Sequence, residues 1–224
     1  LDAVRDLEDD PVGYPTEFWK QLGALDLIGL TLPEDHGGSG QSLLEAAVVY
    51  EQFGRALAPS PHFVSAVMAG GVLTLAGSES QQQEWLPRVS SGDAVLSTAW
   101  LEPESGYSPR GVQLRAAADG DDYLLNGTKL HVPFAKAADR LVVLGRTGDA
   151  DTDIDLFLVD PAAEGVELSQ QFTIASDTQF EVRLSDVRVP ATARIGSSGT
   201  GWATWDTAMH DGIVLLAAQA IGGA

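Results

Sequence analysis

Four histidines, His36, His62, His131 and His210, are the side chains of this chain best suited to move a proton near neutral pH or to ligate a metal. Their scatter argues against a metal, because there is no HExxH pair and no other paired spacing. They read instead as surface or turn residues. The absence of cysteine excludes a disulfide scaffold, thiolate metal sites and a cysteine nucleophile, and it fits a reducing cytosol. A serine nucleophile would need a strand-to-helix GxSxG elbow, which neither "GSGQS" nor "SSGTG" provides. The run "GSSGTG", Gly196 to Gly201, has the composition of a phosphate loop but lacks both GK[ST] and a preceding Rossmann strand. It reads as a flexible link. Two stretches remain. Trp100, immediately before "LEPESG", is either core or the wall of a flat cofactor site, and spacing leaves both open. "KLHVPFA", Lys129 to Ala135, interrupts a β pattern with Pro133 and an exposed imidazole at His131.

The 224 residues are 44% hydrophobic and 20% charged, enough to bury a sizeable core as one large or two small domains. A formal net charge of −19 disfavours nucleic acid and anionic membranes as partners. No basic, apolar leader opens the chain and no apolar run approaches about 18 residues, so the expected location is cytoplasmic. The start at Leu1 and the stop at "AAQAIGGA" in mid-pattern suggest a processed or incomplete chain.

The elements that must position these residues fall into three zones. Helical texture runs to about residue 92. "TEFWKQLGALDLIGL" has Thr16 as its expected N-cap and Phe18, Leu22 and Leu25 on one face, and "LLEAAVVYEQFGRAL" has Leu43, Leu44, Ala47, Val48 and Phe53 as its apolar set. Ser42 caps this second helix, and Ser78 with Gln81 makes a capping box for "SESQQQEWLPRV". Phe63 to Leu75 is apolar nearly all round and reads as a buried helix. Residues 93–197 alternate with period two, and Asn126-Gly127 predicts a two-residue hairpin turn before "KLHV". From residue 198 the chain is helical again, with an apolar face that wants neighbours. The expected class is α+β: a helical domain 1–92, a β-barrel-like domain 93–197, and the first helix of a further helical bundle, 198–224.

The order of motifs resembles the acyl-CoA dehydrogenase family over essentially the whole chain. "LPEDHGGSGQS" followed by "EQFGR" is similar to the family's PE-x-x-GG-x-G loop and the helix after it. "AGSESQQQEWLP" leads into "LEPESGYS" where the family has T-E-P-x-x-G-S-D, "NGTKLHVPFAKAA" is similar to G-x-K-x-W-I-T/S-N-x-x-x-A, and "VRVPATARIGSSGTGW" is similar to the family's exit motif. The resemblance implies FAD, an acyl-CoA substrate, and transfer of electrons to an electron-transfer flavoprotein. It also implies a catalytic glutamate in the C-terminal domain, beyond the region matched, so no residue here is named as the base.

Carried over position by position, the resemblance places flavin contacts at Trp100, Leu101, Gly106, Tyr107, His131, Val132 and Pro133, and substrate contacts at Val64, Ser65, Met68 and Ser108. Several of these depart from the family pattern. Leu101 replaces a hydroxyl, Tyr107 a serine, His131 a tryptophan, and Pro133 the hydroxyl expected to reach flavin N5; Ile213 stands where an arginine is expected. Proline has no donor in side chain or amide. Together these departures imply a weakened or absent flavin site, like that of the degenerate subunit in actinobacterial heterotetrameric steroid acyl-CoA dehydrogenases. The expected partner is then a homologous subunit, or a second copy of the chain itself. A flavin-free structural subunit is the alternative.

Overall fold

The computed structural model describes residues 2–7, 10–103, 106–174 and 177–224. Helices come first: α1 (Asp2–Arg5), α2 (Thr16–Ala24), α3 (Leu43–Ala56), a π-helical stretch Phe63–Ala69 running directly into α4 (Gly70–Ala76), and α5 (Glu79–Ser91). Eight strands follow, β1 (Leu96–Ala99), β2 (Arg115–Asp119), β3 (Asp122–Pro133), β4 (Arg140–Arg146), β5 (Ile154–Val159), β6 (Val166–Gln171), β7 (Gln179–Pro190) and β8 (Arg194–Ile195). The final helix α6 (Gly201–Gly223) closes the described chain. This is the expected α+β arrangement.

The strands form a sheet in the order β6-β7-β3-β2-β4-β5-β8, with β1 parallel to β4 along Leu96–Arg140 to Ala99–Val143. β4 and β5 explain how the helical and β regions share an interior. Both are buried on two faces, and successive side chains of a strand point opposite ways. Val142, Leu144, Ile154, Leu156 and Leu158 join the helical core around Trp19, Met68, Leu73 and Leu86. Leu141, Val143, Phe157 and Val159 join the core enclosed by the sheet, with Leu125, Val132 and Val182.

The expected caps hold at two of three helices. Leu44 N–H donates to Ser42 Oγ at 3.2 Å while Ser42 N–H donates to Glu45 Oε2 at 3.0 Å. Ser78 and Gln81 pair in the same reciprocal way, at 3.3 and 3.0 Å. Gln81 Nε2 also donates to Thr192 O and Arg194 O at 2.9 and 3.1 Å, tying α5 to the β region. Thr16 is not the cap of α2; Pro15 occupies that place without a side-chain hydrogen bond. The apolar set was also partly misplaced. Leu25, Leu44 and Val48 are 68%, 72% and 59% exposed: α2 buries Trp19 and Leu22, and α3 buries Ala46, Tyr50, Phe53 and Gly54 instead.

The Asn126-Gly127 hairpin is overturned. β3 runs straight through both residues, and the reversal comes earlier, at Gly120 and Asp121, between the paired ends Asp119 and Asp122. Asn-Gly marks a bulge in the ladder, with the extra residue on β7 at Asp186, φ 50°. Asn126 clasps that residue through both side-chain ends, Nδ2 to Asp186 Oδ1 at 3.0 Å and Asp186 N–H to Oδ1 at 2.8 Å. The glycine-rich segment after β8 is fastened as well: Gly199 N–H donates to the fully buried Asp155 at 2.6 Å.

One face of α6 has its partner within the chain, which corrects the expectation of an unpaired helix. Trp205, Ala208, Gly212 and Leu215 are buried, and α6 lies against α3, leaving Ile213, Val214, Leu216 and Ile221 outside. The contact needs glycine. A Cβ at Gly54 would sit 1.9 Å from Gln219 O, and one at Gly222 would sit 1.9 Å from Glu51 O. Gly54→Ala therefore forces the two helices apart. The expected result is a loss of about 1–3 kcal/mol, read from denaturant midpoints, despite alanine's better helix propensity.

Candidate functional site

The two stretches singled out in the sequence lie side by side. Leu130 N–H donates to Leu101 O at 2.9 Å, which fixes the exit of β1 against the end of β3. Beneath them runs a buried ion pair. Lys129, with no exposed surface, donates to Glu102 Oε1 at 2.6 Å and reaches Trp100 O at 3.5 Å. The Glu102 carboxylate also accepts Gln113 N–H and Leu114 N–H, each at 3.0 Å. Burial pushes the Lys129 ammonium down to about 8, opposed by the neighbouring carboxylate. Sequence reading missed this pair, since its members are 27 residues apart; a lysine at an inward position of β3 was the available signal.

Above the pair stands an aromatic group. The Trp100 ring is 5.8 Å from Tyr107 and 5.5 Å from Trp205 of α6, both tilted. Trp100 is half-buried, Tyr107 is 78% exposed, and Gly106 and Ser108 are exposed beside it. Trp100 is thus part core and part surface.

β3 ends irregularly. Its register against β7 slips between Lys129 and Val132, and His131 takes up the extra residue with φ 53°. A non-glycine residue held there marks strain of the kind that collects at functional sites. His131 N–H donates to Gln171 Oε1 at 2.8 Å and its Nδ1 is 2.7 Å from Gln179 Oε1, so the latter nitrogen carries the proton. Val132 is buried in the sheet's core. Pro133 closes the strand opposite Gln179, and its carbonyl accepts the Ser97 hydroxyl. A proline at a strand's last residue removes no interior ladder bond.

Several groups at the expected flavin positions cannot donate a hydrogen bond to a ligand. Leu101 offers an aliphatic side chain and a carbonyl already occupied, Pro133 has no N–H, and the His131 amide is committed to Gln171. The aromatic surface of Trp100 and Tyr107 can take a flat ring, and the Tyr107 and Ser108 hydroxyls lie beside it.

The remaining expected positions are enclosed. Val64, Ser65 and Met68 belong to the π-helical stretch and are 6%, 0% and 1% exposed. Ser65 Oγ accepts Leu96 N–H at 3.0 Å. Met68 packs so closely on α6 that a Cβ at Gly212 would lie 2.9 Å from its sulfur. The histidines form no metal site, and the described residues contain no cluster of three or more metal-ligating side chains. His62 is not the surface residue expected. It is 4% exposed, with Nε2 donating to Leu27 O at 2.9 Å and Nδ1 accepting from Tyr50 hydroxyl at 2.9 Å. Desolvation holds it neutral, with a pKa near 4, and raises the Tyr50 phenol. No described helix is long and apolar enough to cross a membrane.

Comparison with known proteins accounts for this layout. Residues 2–93 match the acyl-CoA dehydrogenase N-terminal domain and residues 97–187 the acyl-CoA dehydrogenase middle domain. The chain is 29% identical to acyl-CoA dehydrogenase FadE12 of Mycobacterium tuberculosis, covering 99% of this chain and 58% of that protein. It is 30% identical to the probable acyl-CoA dehydrogenase YngJ of Bacillus subtilis, covering 93% and 57%. Among solved structures, the Tcur3481-Tcur3483 steroid ACAD superposes with a TM-score of 0.87 at 30% identity, over 99% of this chain and 58% of that one. The ChsE4-ChsE5 complex from Mycobacterium tuberculosis gives 0.79 at 25%, over 94% and 58%. The chain spans a little under three fifths of the length of these relatives. Through its N-terminal and middle domains, the chain belongs to the acyl-CoA dehydrogenase family, and two of its structural neighbours are subunits of paired complexes.

Proposed function

We propose that this chain is a subunit of an acyl-CoA dehydrogenase that carries out FAD-dependent α,β-dehydrogenation of an acyl-CoA thioester, with a homologous partner subunit supplying the catalytic base. One observation carries the reading. The segments 100–103 and 130–133 are built into one unit by Leu130 N–H to Leu101 O and by the Lys129–Glu102 pair, yet neither the Leu101 nor the Pro133 side chain can donate a hydrogen bond. A frame is kept, and the side-chain donors at 101 and 133 are missing. Such an arrangement suits a chain that shapes a site shared with another chain rather than one that holds the cofactor alone. Trp100, Gly106, Tyr107, His131, Val132 and Ser108 form its surroundings, and Val64, Ser65 and Met68 its support. An electron-transfer flavoprotein is the proposed electron acceptor, and the proposed setting is cytoplasmic acyl or steroid side-chain breakdown. A caffeyl-CoA reductase-Etf complex subunit of Acetobacterium woodii is 28% identical over 98% of this chain and 60% of that protein.

The same missing donors favour one second reading, a flavin-free structural subunit that completes its partner's site. Visible flavin absorbance per chain separates the two. Flavin retained at one per pair of chains only on co-expression with a partner, and raised in the chain alone by Pro133→Thr with His131→Trp, is the expected result for a weakened site. No flavin in either setting, with the double variant unchanged, favours the structural subunit.

A further inference from the structure

Of the five described non-glycine residues with positive φ, Asp26, Leu57, His131, Phe134 and Asp186, only Leu57 and Phe134 are large and apolar, and both line the same cavity. Bulky side chains are the least tolerant of the left-handed region. Leu57, at φ 49°, ends α3 in the place where glycine ordinarily stands, and its amide donates to Gly54 O at 3.1 Å, a bond glycine would make equally well. It is also 56% exposed. Neither the cap nor the core requires a leucine there. Phe134, at φ 52°, follows Pro133 directly; its amide donates to Thr178 O at 3.0 Å and its ring meets Tyr14 edge-on at 5.9 Å.

The cavity they share is about 380 Å³, within the range of small-molecule sites. Ala58, Pro59, Thr178 and Gln219 complete most of its wall. Its back is tight, since a Cβ at Gly13 would lie 2.0 Å from Thr178 Oγ1. Thr178 Oγ1 is turned away to Asp10 O at 3.3 Å. The carboxylate of Asp177 stands on the rim, bound by Thr173 Oγ1 at 2.6 Å, and on a chain of net charge −19 it repels an anionic group.

We infer that this cavity receives an uncharged aliphatic or alicyclic group, the far end of the acyl chain of the substrate, with Leu57 and Phe134 as its specificity-determining residues. Identifying the group as an acyl chain rests on the thioester reading above. Val64, Ser65 and Met68 have their side chains enclosed by the protein itself, whereas this space is open and begins one residue beyond Pro133.

The test measures calorimetric binding of three probes, octanoyl-CoA, CoA and 1-octanol, together with thermal midpoints. The wild-type chain should bind octanoyl-CoA at least tenfold more tightly than CoA. Leu57→Gly should weaken octanoyl-CoA and 1-octanol at least fivefold while melting no lower than wild type, because glycine relieves the left-handed strain. Ala58→Phe, which fills the cavity, should weaken both as well. A purely structural Leu57 would leave binding untouched. Unchanged binding of both probes in both variants overturns the inference and leaves the thioester reading in place, as does failure of 1-octanol to bind while octanoyl-CoA binds. If 1-octanol binds and is lost in both variants while octanoyl-CoA binds no better than CoA, the cavity stands and the thioester reading falls.

Discussion

Lys129→Met is expected to cost about 3–5 kcal/mol, the loss typical of removing one partner from a buried ion pair. The lysine has no exposed surface and sits 2.6 Å from Glu102. Without it, a carboxylate remains in the interior with only the amides of Gln113 and Leu114 to stabilise it. The pair itself is a weaker asset, since its mutual attraction is set against the desolvation of two charges. The double variant Glu102→Gln with Lys129→Met keeps an acceptor for both amides and removes the stranded charge. It should recover to within about 2 kcal/mol of wild type. Denaturant midpoints of the three proteins decide the matter; a double variant as damaged as Lys129→Met would show that the pair, not the stranded charge, carries the stability. Local effects should appear first at Trp100 and Leu101, because Lys129 Nζ and Leu130 N–H hold those two carbonyls.

Acid should weaken the helical region through His62. In the folded chain this imidazole takes a proton near pH 4, against about 6.5 in an unfolded chain. Between those values the unfolded state binds more protons, so stability falls as pH drops through the window, by about 3 kcal/mol in total. The geometry gives the cause. His62 is enclosed by Tyr50 and Phe53, and the desolvation of an imidazolium there outweighs the hydrogen bond to Leu27 O, which by itself favours the charged form. His62→Leu should start lower at pH 7, with the Tyr50 hydroxyl and the Leu27 carbonyl unpaired. It should then lose about 3 kcal/mol less than wild type from pH 6.5 to 4. Subtracting the two pH profiles removes the contribution of the chain's many carboxylates. Parallel profiles would show that His62 takes up its proton in the native state at the same pH as in the unfolded chain.

What the sequence made legible was local. Ser42 with Glu45 and Ser78 with Gln81 are separated by three residues, and both boxes form. The period-two runs became strands, and the apolar run from Phe63 became a buried helix. What failed depended on distant partners. Asn126-Gly127 carries a strong turn signal, but its meaning was set by Asp186, 60 residues on, which made it a bulge. His62 looked like a surface residue until α3 brought Tyr50 over it. Leu44 and Val48 obey helical spacing yet face outward, because small Ala46 and Gly54 let other elements approach the opposite side. The two stretches that motif order singled out lie side by side, whereas the Glu102–Lys129 pair and the strain at His131, Phe134 and Leu57 had no local signature.

The two strands shared between cores have a consequence for how the chain can be cut. The sequence match changes from one domain to the other between residues 93 and 97, but Val142, Leu144, Ile154, Leu156 and Leu158 lie beyond that border and form the floor of the helical core. A fragment ending at residue 93 would leave Trp85, Leu86 and Val89 facing water. The border between the two matches is therefore a boundary of ancestry, while the smallest unit able to fold alone must reach at least to the end of β5.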